Sequence, residues 1–162
     1  MGITKGMFTS NSCEWSTPQL LFDILNAEFN FNTDVCATQY DAKCKHFYSP
    51  EDDGLSKTWT GTCFMNPPYG REIIKWVKKA SSECRKNKST IVCIVPSRTD
   101  TKWMHEYCSE ADEIRLIKGR LHFNDGPNAA PFPSCIVIFK PDRTRDEPYI
   151  HFWEIPKTLD EV

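Results

Sequence analysis

The chain has 162 residues, 40% of them apolar and 12% aromatic, with 20 Lys+Arg against 22 Asp+Glu. Such a chain can bury one sizeable core but not two, and a formal charge of −2 excludes a disordered polyelectrolyte and a strongly basic nucleic-acid coat protein. The charge is uneven, net −4 over residues 1–62 and net +2 over residues 63–162, so any contact with a polyanion is expected in the second part.

No apolar run approaches the roughly 20 residues of a membrane span, and Met1–Ser10 lacks the apolar core of a signal peptide. An intracellular chain with no membrane partner is expected. The cysteines fall at 13, 36, 44, 63, 84, 93, 108 and 135 without a single C-x-x-C pair, so no zinc or other metal site is expected. Cys63, Cys93 and Cys135 sit inside apolar stretches, where a reduced thiol acts as a small hydrophobe. His46, His105, His122 and His151 form no metal-like cluster and read as structural or surface groups.

Residues 1–14 read as a lead-in. Thr17-Pro18 then starts a helix, with Thr17 as N-cap and Pro18 in the first turn, where its missing N–H costs nothing. Leu20, Leu21, Ile24 and Leu25 give that helix one apolar face. Alternation from Phe29 to Cys36 predicts a strand with Asp34 near its C-terminal end. From Ala37 to Gly61 the pattern is mostly loop, with a short strand at His46–Tyr48 and a turn at Pro50–Gly54. Thr62–Met65 is a buried strand stopped by Asn66-Pro67-Pro68-Tyr69-Gly70, since two prolines exclude helix and central strand alike.

Arg71–Lys88 predicts a helix with Ile73, Trp76, Val77, Ala80 and Cys84 inward and a basic outer surface. Thr90–Val95 is a β-branched run of the kind buried on both faces. A helix over Asp100–Ala111 and strands at Ile114–Ile117 and Cys135–Phe139 follow, with Trp76 and Trp103 as packing residues. The link Gly119–Ser134 is long for a compact domain and reads as a functional loop. The alternation is that of an α/β domain with a largely parallel sheet closed by an antiparallel edge pair. Beyond Lys140, residues 141–162 form an extension in which His151–Ile155 can add an edge strand.

Asn66-Pro67-Pro68-Tyr69 lies just past a strand's carboxyl end, where open α/β sheets bind ligands. An exocyclic amine on an aromatic base is a poor nucleophile because its lone pair is delocalised into the ring. Hydrogen bonds from its two N–H groups to fixed oxygens favour a pyramidal, reactive nitrogen. The Asn66 side-chain oxygen and the Pro67 carbonyl can provide that pair, the prolines preorganise it, and Tyr69 can stack on a planar substrate.

From about Trp15 to Lys140 the sequence resembles the compact, phage-type DNA N6-adenine methyltransferases, within the S-adenosylmethionine-dependent amino-methyltransferases. The resemblance rests on Trp15-Ser-Thr-Pro18, Asp34-Val-Cys-Ala37, Asp53-Gly-Leu55 with Trp59, and Asn66-Pro-Pro-Tyr-Gly70. Val95-Pro-Ser-Arg-Thr-Asp100 with Trp103, and Gly119-Arg-Leu-His-Phe123 ahead of Ala130-Pro-Phe-Pro-Ser134, complete the ordered set. It implies a single Rossmann-like methyltransferase domain over residues 15–140 and transfer of methyl from S-adenosylmethionine to adenine N6 in DNA. S-adenosylhomocysteine would be the product, no metal would take part, and the setting would be a bacterial host's cytoplasm, with a phage or prophage origin.

Carried over by position, it implies Thr17 and Pro18 near the cofactor's methionine end and Asp34 and Ala37 in the turn after the first strand, Asp34 facing the charged portion. Asp53 (or Asp52) and Leu55 would approach the ribose or adenine, and Asn66, Pro67, Pro68 and Tyr69 would form the catalytic tetrad, Asn66 also bordering the cofactor. The wider fold usually places a glycine-rich turn after its first strand, whereas here no glycine occurs between Gly6 and Gly54, and only Cys36 and Ala37 are small. A lysine-rich helix face is more often solvated than bound to DNA. Arg115, Lys118 and Arg143 join that helix as phosphate-contact candidates, with Arg98 and Arg120 favoured because they lie in matched segments near strand ends. The tetrad by itself also suits amines of RNA bases or the side-chain amide of protein glutamine. A catalytically silent nucleic-acid-binding relative is a third reading, against which the intact tetrad counts. Oligomeric state is left open by the sequence.

Overall fold

The computed structural model describes residues 15–162, so the lead-in 1–14 and its Cys13 lie outside the described residues. The helices are α1 (Gln19–Phe29), α2 (Ile73–Asn87) and α3 (Lys102–Glu106). The strands are β1 (Thr33–Asp34), β2 (Thr62–Met65), β3 (Thr90–Pro96), β4 (Glu113–Ile117), β5 (Ser134–Phe139) and β6 (Tyr149–Trp153). They form one sheet in the order β1-β2-β3-β5-β4-β6.

Alternation along β3 explains the layering. Ile91, Cys93 and Val95 point to one face with Trp76, Val77, Ala80 and Cys84 of α2 and Trp103 of α3. Val92 and Ile94 point to the other, with Leu21, Phe22 and Leu25 of α1. A strand covered on both sides can be apolar throughout, as the β-branched run required. Cys63, Cys93 and Cys135 are all buried in this core, and every cysteine among the described residues is a free thiol. Burial pushes the Cys44 thiol up to about 12, which keeps it protonated.

The sheet is largely parallel, with β5 antiparallel to both β3 and β4. The expected β4–β5 antiparallel pair lies one strand in from the edge, because β6 continues the sheet parallel to β4. On the other side, β1 pairs with β2 and is bridged through Asp34 to Phe47, within the expected His46–Tyr48 segment. The chain therefore steps outward from β1 and then returns past it to β2. The C-terminal ends of β1 and β2 flank the point where strand order reverses, the ligand-binding position of an open α/β sheet.

Three local expectations are corrected. The predicted strand from Phe29 shrinks to Thr33–Asp34, because α1 runs to Phe29 and Asn30, in the left-handed region at φ 53°, caps it. Asn26 also accepts the Phe31 N–H at 2.9 Å, which bends the chain out of any extended run. On α1, Phe22 rather than Leu20 faces the core, and Leu20 is exposed. The helix expected over Asp100–Ala111 breaks at Tyr107 into α3 and a 3-10 turn at Cys108–Glu110.

Candidate active site

The Thr17 hydroxyl, expected to cap α1, does not do so. Pro18 is the N-cap residue and makes no side-chain cap, while the Gln19 N–H donates to the Asp125 carboxylate at 3.1 Å. Thr17 is buried at 2% exposure, and its Oγ1 accepts instead from Asn66 Nδ2 at 3.0 Å. The second Asn66 N–H donates to the Trp15 carbonyl at 2.7 Å. A backbone carbonyl can only accept, so the amide nitrogen must face it and Oδ1 must point the other way. Asn66 is buried, directly after β2.

Asn66 Oδ1 receives the Tyr69 hydroxyl at 3.0 Å, and the same hydroxyl lies 3.4 Å from the Ile94 carbonyl. Burial raises the Tyr69 pKa far above the usual phenol range, so the group is a neutral donor. The ring stands edge-on to Phe132 and Phe123, with centroids 5.6 and 6.2 Å away, and Trp15 packs edge-on against both. Tyr69 is thus turned inward, its hydroxyl on the oxygen that the sequence reading reserves for a target amine. Pro67 is buried and Pro68 half-buried in the turn from Asn66 to Tyr69.

The link between β4 and β5 builds the adjoining wall. Asn124 and Asp125 take left-handed backbone at φ 60° and 52°. That turn lets the Asn124 N–H donate to the Ser16 carbonyl at 2.8 Å while Asn124 Oδ1 accepts from the Ser16 N–H at 3.2 Å. The loop thereby fixes Trp15-Ser16-Thr17, the segment that fixes Asn66.

Asp34 ends β1 opposite Phe64, two residues before Asn66. Its carboxylate is 2% exposed and accepts the Cys36 and Lys43 backbone N–H groups at 3.3 and 3.1 Å. Burial outweighs those bonds and pushes its pKa up to about 7. Ala37 is buried and donates its N–H to the Tyr48 carbonyl. Asp53 is exposed in left-handed backbone, and Leu55 packs half-buried on the core. Gly54 lies so close to the turn after β1 that a Cβ there would sit 2.3 Å from the Val35 carbonyl oxygen. The Trp59 indole N–H donates to the Gly54 carbonyl at 2.9 Å, and the Trp59 backbone N–H donates to the buried Glu83 carboxylate at 2.8 Å.

Arg98 is exposed just past β3, and Arg120 is exposed past β4 with Nη1 on the Ala130 carbonyl at 3.3 Å. Arg115, a candidate phosphate contact, is instead buried between Glu28 and Glu113, at 2.6 and 2.7 Å. Lys118 pairs with Glu154, and the Arg143 guanidinium bonds to the Arg145 and Asp146 carbonyls. Sequence reasoning missed the Trp15 carbonyl, Phe132, Asp125 and Glu83. The first two lie in the family-like segments Trp15-Ser-Thr-Pro18 and Ala130-Pro-Phe-Pro-Ser134, the only local signal for them. Among the described residues, no three His, Cys, Asp or Glu side chains are grouped to hold a metal, and no helix is long and apolar enough to cross a membrane.

A strand-order reversal between Asp34 and Asn66, with an Asn-Pro-Pro-Tyr turn at its mouth and an antiparallel strand near the far edge, defines a Rossmann-like methyltransferase fold. The family model described as DNA N-6-adenine-methyltransferase (Dam) matches residues 7–151, and the chain belongs to that family. It is similar to the DNA N-6-adenine-methyltransferase of Haemophilus phage HP1, 31% identical over 136 residues that cover 78% of each chain. It is also similar to the DNA N-6-adenine-methyltransferase of Escherichia phage T1, 32% identical over 110 residues, 66% of this chain and 45% of the relative. A shorter stretch of 64 residues, 35% of this chain and 70% of the relative, is 34% identical to the putative methyltransferase YfdM of Escherichia coli.

Proposed function

We propose that this chain transfers a methyl group from S-adenosylmethionine to the N6 amine of adenine in DNA. The observation that carries the reading is the polarity of Asn66. Both of its N–H groups are engaged by Trp15 and Thr17, which leaves Oδ1 as a fixed acceptor beside Pro67 at the switch point of the sheet. A fixed acceptor suits an amine substrate, whose N–H it can hold, and does nothing for a carbon nucleophile.

The residues fit the cofactor. Asp34 offers a buried carboxylate at the end of β1, braced by two backbone N–H groups, and suits a cationic group. The close approach of Gly54 to Val35 brings the Asp53–Leu55 turn beside it. Pro18, Asp34, Ala37, Asp53 and Leu55 would hold S-adenosylmethionine, with Thr17 and Asn66 only at its border; the group supplies an electrophilic methyl on a sulfonium and leaves as S-adenosylhomocysteine.

The chain's own part is to hold and orient the base. The incoming amine replaces the Tyr69 hydroxyl on Asn66 Oδ1, and the released ring turns to stack on the base. An adenine in a duplex must first leave the stack, and the exposed Arg98 and Arg120 would hold flanking phosphates. The reaction would run in the cytoplasm of a bacterial host.

Labelled methyl transfer to duplex DNA, single-stranded DNA, RNA and protein in parallel tests the reading. N6-methyladenine from DNA is the expected product, lost at least 100-fold in Asn66→Ala while cofactor binding persists. Near-normal turnover in that variant would remove the tetrad's role. Label in RNA or in a glutamine side chain would replace the substrate, and no label with no cofactor binding would make the chain a silent binding relative.

A further inference from the structure

We infer that Thr17 is a positioning residue for methyl transfer, acting on the Asn66 amide rather than only lining a cofactor site. The inference rests on the catalytic reading of Asn66 above and adds what holds that side chain in register.

An asparagine amide is nearly symmetric in shape, and only its neighbours decide which end presents oxygen. Here the Trp15 carbonyl at 2.7 Å fixes the polarity, because oxygen facing oxygen would leave two acceptors opposed in a buried site. One bond sets which end is which but leaves the amide plane free to tilt about it. The Thr17 hydroxyl at 3.0 Å takes the second N–H and fixes that plane. Thr17 can do this because it does not cap α1, the Gln19 N–H being held by Asp125. With both hydrogens held, Oδ1 has one direction, the one now occupied by the Tyr69 hydroxyl at 3.0 Å. Reacting atoms displaced by as little as about 1 Å can lose around 100-fold in rate, so a tilt of this amide is costly to turnover and not to binding.

The test is Thr17→Val, which keeps the shape and removes the acceptor, beside Thr17→Ser, which restores it. Single-turnover rate, KM for DNA and cofactor Kd are measured for each, with Asn66→Ala as reference. The expected result for Thr17→Val is a rate loss of about 10- to 100-fold, with cofactor Kd and DNA KM within about 3-fold and most of the loss recovered in Thr17→Ser.

An unchanged rate in Thr17→Val while Asn66→Ala is inactive overturns the inference and leaves the function standing. Normal turnover in Asn66→Ala removes the catalytic role of Asn66 and with it the inference, while absence of N6-methyladenine from the wild-type reaction is what overturns the function. A cofactor Kd weakened in step with the rate shows a cofactor contact instead and overturns the positioning role, as does a Thr17→Ser loss equal to that of Thr17→Val. If Thr17→Val does not fold, Thr17→Ala is read in its place; failure of both to fold overturns the inference, showing the hydroxyl to be part of the scaffold.

Discussion

Cofactor affinity is expected to fall as the pH drops through 7, and the cause is Asp34. Its carboxyl is 2% exposed, and desolvation lifts its pKa to about 7 despite two backbone N–H bonds that favour the charged form. In the unfolded chain the same group ionises near 4. Between about pH 4 and pH 7 the folded chain therefore holds a proton that the unfolded chain has lost. The stability of the ligand-free protein falls as pH rises through that window, by a shift of roughly three pH units, or on the order of 4 kcal/mol. A cation seated against Asp34 reverses the preference and expels the proton. Binding that requires the carboxylate then tracks its ionised fraction, about nine tenths at pH 8, half at pH 7 and one tenth at pH 6. The expected Kd for S-adenosylmethionine is about tenfold weaker at pH 6 than at pH 8, with about half a proton released at pH 7. Calorimetric titration in two buffers of different ionisation enthalpy reads both quantities. In Asp34→Asn affinity should be weak at every pH, because a neutral amide cannot pair with the cation and turns an NH2 towards a backbone N–H. An affinity flat from pH 6 to 8, or wild-type affinity in Asp34→Asn, would refute a carboxylate facing the cofactor's charge.

Two further perturbations separate stacking from hydrogen bonding and loop contact from core packing. Tyr69→Phe removes the hydroxyl that occupies Asn66 Oδ1 but keeps the ring, so methyl transfer should be retained or faster. Tyr69→Trp should keep more activity than Tyr69→Ala, which forfeits a stacking contact worth about 1–3 kcal/mol, or 5- to 150-fold in rate; equal loss in all three would remove the stacking argument. Gly54→Ala places a Cβ 2.3 Å from the Val35 carbonyl oxygen, with Trp76 a further 3.1 Å neighbour, so two backbone segments must separate. The expected cost is about 1–3 kcal/mol, seen as a melting temperature several degrees lower and weaker cofactor binding. An unchanged melting curve would mean that the approach is not tight in solution.

Most of the layout was legible because its signals are local. Thr90–Val95 could only be a strand covered on both faces, and the two prolines after Asn66 could only end one. What the sequence concealed depends on partners far along the chain. Thr17 before a proline has the local signature of an N-cap, yet its hydroxyl is claimed by Asn66 and the helix end by Asp125, 106 residues from Gln19. Phe29–Asn32 alternates as a strand does, but α1 runs on to Phe29, and Asn30 ends it there by taking the left-handed backbone that asparagine tolerates. Arg115 has the look of an exposed base at a strand, and only the fold brings Glu28 and Glu113 around it. The tetrad's position was visible in advance, whereas the inward seat of Tyr69 against Phe123 and Phe132 was not, since it is made by a loop of irregular sequence.

The glycine-free turn after β1 has a physical account of the same kind. A glycine is needed wherever two stretches of backbone come closer than a Cβ allows, and it makes no difference which stretch contributes it. In this chain the turn Asp34-Val35-Cys36-Ala37 keeps its side chains, with Val35 fully buried in the core. The other partner, Gly54, is the residue without one, and the distance from its ideal Cβ position to the Val35 oxygen shows how tight the approach is. Gly54 is then locked there from behind, by the Trp59 indole on its carbonyl and by Glu83 on the Trp59 N–H. The Asp53-Gly54-Leu55 and Trp59 segments are therefore one device. The tryptophan, four residues beyond Leu55, holds the acidic turn against the end of β1, and Gly54 is the residue whose missing side chain lets the two backbones meet.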